Sequence, residues 1–167
     1  MSVGARLQVA LRPATADEAG ALSGLALEAK ALWGYSRAQL DLWKSDLTLT
    51  PGSIAQRPTF VAVADAAITG FYQLVLEPKR ADLEHFWVRP QFARRGIGRA
   101  LLEHAVRLAA STGHEELEID ADPNAEPFYL ARGAIRVGVV DAPTRADPGR
   151  VRPQLRIALK HFEGQRE

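Results

Sequence analysis

Three arginines and two glycines crowd into Arg94-Arg95-Gly96-Ile97-Gly98-Arg99. The apolar run Leu83 to Val88 leads into this loop, and a helical pattern follows it. Such a junction aims several backbone N–H groups at one point, and the helix dipole adds partial positive charge there. Gly96 and Gly98 let the chain bend and let a ligand approach bare backbone. The chemistry this suits is the binding of an anion, typically a pyrophosphate. The dinucleotide fingerprint needs a third small residue where Leu101 stands, and a Walker-type loop needs a Gly-Lys-Ser/Thr run that this sequence lacks. Taken alone, the Gly-x-Gly is as compatible with a plain tight turn.

Other residues have types that could act on a substrate. Glu84 lies in an apolar run, where burial would raise its pKa toward that of a useful base. The bland reading is an acid paired with Arg80 or Arg89. His85 is its rival, with an ordinary pKa of ~6.5; the bland reading is a hydrogen-bonded strand histidine. Strand alternation sends these neighbours to opposite faces, so one of them should face a given site. Tyr129, a phenol with pKa near ~10, stays protonated at neutral pH and can act as an acid, or simply pack its ring in the core. Asn124 is placed to cap a helix starting at residue 125. Trp33 and Tyr35 flank Gly34 in a turn and suit an aromatic pocket wall. Trp43, at helical spacing with Leu40 and Leu47, reads as core. Arg145, Arg150 and Arg152 sit in a turn-rich stretch that reads as a solvated loop or a further anion contact. Asp120 and Asp122 lack the partners a metal site needs, so no metal is expected, and Asp122 reads as a turn residue.

The elements that position these groups follow from pattern. Thr15 to Glu18 is a capping box, and Leu22, Leu25, Ala26 and Ala29 form one helical stripe ending near Leu32. Ser36 caps a second helix, which Pro51-Gly52 breaks. Strands are predicted at Leu7 to Arg12, at Phe60 to Ala64 and Ile68 to Leu76 (a hairpin across Asp65-Ala66-Ala67), and at 82 to 88. A helix over roughly 96 to 111 turns Leu101, Leu102, Ala105, Val106 and Leu108 inward and stops at Gly113. Strands follow at 117–121, 135–140 and 154–160, with a short helix ending at Gly133. The order β-α-α-β-β-β-α-β-α-β-β makes a mixed sheet flanked by helices, of α/β (α+β) class.

Composition sets the limits. The chain has 167 residues, 47% hydrophobic and 25% charged, which suits a single globular domain over 1–167. A net charge of +1 and a pI near 8.1 give no global attraction to nucleic acid or membrane. There is no cysteine, hence no disulfide and no thiol nucleophile. No signal-peptide pattern is seen, and no apolar run approaches the ~20 residues of a membrane span. A cytoplasmic location is the expectation.

Residues 83 to 133 resemble the GCN5-related N-acetyltransferases, the GNAT superfamily. The matching residues are Leu83-Glu84-His85-Phe86-Trp87-Val88, Pro90, Arg95-Gly96-Ile97-Gly98-Arg99-Ala100-Leu101-Leu102, and Asp122-Pro123-Asn124-Ala125-Glu126-Pro127-Phe128-Tyr129 with Gly133. Two positions depart from the family's glycine signature: Ala93 replaces the usual Gln or Arg, and Arg94 stands where Gly is common. The resemblance implies a mostly antiparallel sheet of about seven strands, with strands 4 and 5 splayed. It implies acetyl-CoA as co-substrate, its pyrophosphate on the amides of Arg95 to Arg99 beside Arg94. The pantetheine arm would lie along Phe86, Trp87 and Val88 and near Asn124, bonding strand-edge backbone. It further implies direct attack by an amine of a small molecule or peptide, with no covalent enzyme intermediate. Glu84 or His85 would be the base and Tyr129 the acid, with Trp33 and Tyr35 lining the acceptor pocket; a homodimer is the family habit. The alternative is a non-catalytic acyl-CoA-binding or sensing domain on the same fold.

Overall fold

The computed structural model describes residues 7–159. Its elements are β1 (Ala10–Pro13), α1 (Ala19–Ala31), α2 (Arg37–Trp43), α3 (Pro51–Gln56), β2 (Thr59–Ala64), β3 (Ala67–Glu77), β4 (Arg80–Val88), α4 (Ile97–Ser111), β5 (Glu116–Asp120), α5 (Glu126–Leu130), β6 (Ile135–Asp141) and β7 (Val151–Ala158). The strands form one sheet in the order β1-β2-β3-β4-β5-β7-β6. The β1–β2, β2–β3, β5–β7 and β6–β7 pairs are antiparallel. The β4–β5 pair is parallel, and its register covers two pairs, Ala81 with Leu117 and Asp82 with Glu118. So short a ladder is what splayed strands leave. The α/β class and the mostly antiparallel seven-stranded sheet expected from the sequence are therefore present.

Local chemistry explains the boundaries. Thr15 N–H donates to Glu18 Oε1 at 2.8 Å, so the capping box leads through a 3₁₀ turn (Ala16–Glu18) into α1. Leu22, Leu25, Ala26 and Ala29 are all buried. Pro51 does not merely break the chain, as the pattern suggested. It opens α3, because a proline at the first helical position gives up an N–H that would have no partner there. Thr50 caps this helix through a 3.0 Å bond from Ser53 N–H. The β2–β3 hairpin turns on Asp65 and Ala66, with φ of 52° and 60°, the left-handed pair that tight hairpins need. In α4, Leu108 is half-buried and Ala109 completes the inward face.

The described chain divides into two compact units, one reaching to Gln73 with His85–Glu103 added, the other Leu74–Glu84 with the chain from His104 onward. The first has a core of Leu22, Leu25, Ala26, Leu47, Leu49, Ile54, Val61 and Phe71, with Trp43 and Trp87 packed against it. In the second, β7 lies between β5 and β6. Leu117, Ile119, Leu155 and Ile157 are buried there, while Ile135, Val137, Val139 and Val140 of β6 are exposed. No described helix is long and apolar enough to cross a membrane. Among the described residues, no group of three or more histidine or carboxylate side chains could hold a metal ion.

Candidate functional site

In the first unit the glycine loop enters α4 as its spacing predicts. Ala100 N–H makes a 3.1 Å bond to the Gly96 carbonyl, so the amides of Ile97, Gly98 and Arg99 lead the helix and point ahead of it. Ile97 is 1% exposed and fastens the loop, while Arg94, Arg95 and Arg99 are exposed. Gly96 has φ of 85° and Arg94 has φ of 59°. Arg94, at one of the two positions where this chain departs from the glycine signature, therefore stands where glycine would sit without strain; a side chain there costs roughly 1–2 kcal/mol. Arg99 pairs with Glu103 at 3.1 Å, and the Arg95 guanidinium lies 5.7 Å from the Phe92 ring. Gly70 of β3 lies beneath the strand that feeds the loop: a Cβ there would stand 2.7 Å from the Trp87 carbonyl oxygen and 3.0 Å from Leu101 Cδ1.

On β4, alternation separates Glu84 from His85. His85 is 8% exposed, whereas Glu84 is exposed, so the burial that its apolar neighbours suggested does not occur. Arg80 and Arg89 hold Asp82 and Glu28 instead, each at 2.9 Å. The Trp87 indole N–H donates to His85 Nδ1 at 3.2 Å. An indole nitrogen is a donor only, so Nδ1 is unprotonated and the neutral ring carries its proton on Nε2. Burial first, and the Arg57 charge second, push His85 down to about 4. His85 is thus neutral at pH 7, and its remaining nitrogen already holds a proton. Arg89 N–H bonds the Thr69 carbonyl at 2.7 Å; alternation then directs the amides of Val88 and Phe86 to the other edge of β4.

Trp33 and Tyr35 come together with two residues that the pattern assigned elsewhere. Trp33 lies 6.3 Å from Trp87 between ring centroids, and Tyr35 meets Trp43 edge-on at 4.7 Å. Trp43, read as core, and Trp87, assigned to the coenzyme arm, are half-buried and pack against the core. All four rings lie within 6.0 Å of the Lys30 ammonium. The available signal was spacing: Lys30 precedes Trp33 by one helical turn.

In the second unit Tyr129 is 5% exposed, edge-on to Phe128 at 5.3 Å. Burial, then the Asp122 charge, push its phenol further up, so it remains protonated. Asn124 is not the cap of α5; Ala125 holds that position. The Asn124 amides instead donate to Asp122 Oδ1, the backbone N–H at 2.8 Å and Nδ2 at 2.9 Å. Asp122 opens the turn into α5 as its type suggests, its carbonyl accepting Ala125 N–H at 2.9 Å, whereas Arg150 is not part of a solvated loop. They form an ion pair at 3.3 Å whose side chains are 4% and 5% exposed. Arg152 is likewise tied down, to Asp120 at 2.9 Å. Nothing in the sequence spacing reveals the Asp122–Arg150 pair, because β7 brings it together from 28 positions apart.

The seven-stranded sheet, its parallel β4–β5 step and the glycine loop that opens α4 together define the architecture. The chain belongs to the acetyltransferase (GNAT) family, whose model matches residues 25–134. It is 30% identical over 145 residues to the mycothiol acetyltransferase of Clavibacter sepedonicus, an alignment taking in 82% of this chain. The chain spans 46% of that relative's length. Among solved structures it resembles a GCN5-related N-acetyltransferase from Rhodopseudomonas palustris, with TM-score 0.73 and 21% identity, covering 89% of this chain and 94% of the other. It also resembles the paia N-acetyltransferase of Thermoplasma acidophilum in complex with coenzyme A, with TM-score 0.72 and 19% identity, covering 90% and 99%.

Proposed function

We propose that this chain, acting as a single domain in the cytoplasm, transfers an acetyl group from acetyl-CoA to a primary amine of a small molecule or peptide by direct attack. The observation that carries the reading is the amide cradle of Ile97, Gly98 and Arg99 at the start of a full-length helix, with exposed Arg94, Arg95 and Arg99 around it. That cradle fits a pyrophosphate. The coenzyme supplies an activated thioester, and the chain's residues do the rest. The edge amides of Val88 and Phe86 bind an extended arm and donate to an oxyanion. Tyr129, kept protonated by its surroundings, gives a proton to the departing thiolate. Glu84, open to water, takes the amine proton directly or through a water; the one ring lone pair of neutral His85, on Nδ1, already accepts from the Trp87 indole. Trp33 and Tyr35 line the acceptor pocket. The relatives' names as acetyltransferases and the coenzyme A complex of a fold neighbour support the donor.

The test is a panel of amines incubated with protein and acetyl-CoA, with free thiol followed against a no-amine blank. Amine-dependent thiol release supports the reading. Tight acetyl-CoA binding with no release on any amine would leave the sensing role.

A further inference from the structure

The chain's three tryptophans all surround one atom. Lys30 Nζ lies 4.6 Å from the Trp43 ring centroid, 5.2 Å from Tyr35, 5.9 Å from Trp33 and 6.0 Å from Trp87. The rings come from the α1–α2 turn, α2 and β4, so three separate segments converge on it. We propose that these rings form a binding site for an organic ammonium group, and that Lys30 is a tethered occupant which such a ligand displaces.

The face of an aromatic ring attracts a cation, and several rings around one point make the cage that selects quaternary ammonium groups. The walls do not depend on Lys30 for their shape. Trp33 and Trp87 contact each other at 6.3 Å, and Tyr35 and Trp43 at 4.7 Å. Trp43 and Trp87 also pack against the core of their unit. Lys30 and all four rings are half-buried, so the cage opens to solvent and its occupant can exchange. A primary ammonium on a flexible stem regains strong hydration when it leaves. A quaternary ammonium gives up less hydration on entering, and so gains more from the same rings. Because Lys30 is attached to the cage, it competes at a high effective concentration and weakens every outside cation by the fraction of time it fills the site. If the chain acetylates amines, the acceptor's cationic group is a natural visitor here; that link alone rests on the proposed function.

The test is equilibrium binding to the whole chain without acetyl-CoA, read by tryptophan fluorescence, since every tryptophan belongs to the cage. Choline is titrated against its neutral carbon isostere, 3,3-dimethylbutan-1-ol. The expected result is saturable choline binding in Lys30→Met, about tenfold tighter than in the unaltered chain, with a weaker response to the isostere. Trp43→Ala added to Lys30→Met should abolish it. If Lys30→Met fails to fold, Lys30→Gln takes its place. Equal choline affinity with and without Lys30, or equal binding of the neutral isostere, overturns the proposal. Choline binding in a chain that releases no thiol would sink the transferase reading and leave this one intact.

Discussion

Arg150 and Asp122 form a buried ion pair, with side chains 5% and 4% exposed and 3.3 Å between Nη2 and Oδ2. Arg150 also donates to the Ala142 carbonyl at 3.1 Å, and Asp122 accepts two bonds from Asn124. Both charges therefore have several partners. Removing one should cost more than the pair itself contributes, because the other stays buried. Arg150→Met is expected to lose about 3–5 kcal/mol of unfolding free energy, and Arg150→Met with Asp122→Asn to recover part of it. Urea unfolding of the three proteins measures this; a single variant within 1 kcal/mol of the parent would contradict it.

The neutral, buried His85 makes stability depend on acid. Its pKa is about 4 in the fold and ~6.5 in the unfolded chain, so the unfolded state binds the extra proton first. The contribution is fully present above about pH 6.5 and declines as pH falls toward 4, by about 3 kcal/mol at its largest. His85→Gln, which can still accept from the Trp87 indole, should flatten this part of the stability–pH curve. Thermal melts between pH 4 and 7.5 report it, and parallel curves for the two proteins would refute the assignment.

Under the proposed mechanism, Tyr129→Phe removes only a hydroxyl from a packed ring. Turnover is expected to fall about 10²–10⁴-fold, the range for general acid catalysis, with acetyl-CoA affinity nearly unchanged. Steady-state rates with a slow-leaving thioester, alongside calorimetric coenzyme affinity, separate the two effects. A weakened affinity with unaltered turnover would remove the phenol from the chemistry.

Gly70 has no room for a side chain. A Cβ would sit 2.7 Å from the Trp87 carbonyl oxygen, and backbone cannot swing aside as a side-chain tip can. Gly70→Ala should destabilise by about 1–3 kcal/mol. It should also loosen the strand that carries Trp87, seen as a shift in tryptophan emission. An unshifted midpoint in denaturant would show that the strands accommodate the methyl.

Ala66 holds φ of 60° in the β2–β3 turn, next to Asp65. Glycine there would give an Asp-Gly hairpin turn. Relief of left-handed strain outweighs the extra freedom of an unfolded glycine, so Ala66→Gly should gain ~0.5–1 kcal/mol. A lowered melting temperature would count against this account.

What the sequence made legible was what neighbours in sequence decide. The α1 stripe, the capping box, the Asp65 turn and the Gly96 loop are all set within a few residues, and each was placed from pattern. What it hid turns partly on competing local partners and partly on distant chain. Glu84 looked buried because its neighbours are apolar, yet alternation turns it outward while His85 goes in. Asn124 looked like a cap because its type favours one, but Asp122 captures both its amides. Trp43 looked like core because it shares a helical face with Leu40 and Leu47; only the folded turn brings it to Tyr35 and Lys30. The Asp122–Arg150 pair has no local trace, since strand order alone creates it.

That strand order also bears on how the chain is made. β5 is flanked on one side by β7, the last of the described strands, while β6 emerges earlier and, among those strands, pairs with β7 alone. During synthesis the β7-facing edge of β5 stays open for the whole interval between Asp120 and Val151, and the apolar side chains of β6 wait with it. An open strand edge invites pairing with other chains. The emergence of β7 therefore closes this edge, and slow elongation or arrest before residue 151 should leave a sticky, incomplete sheet.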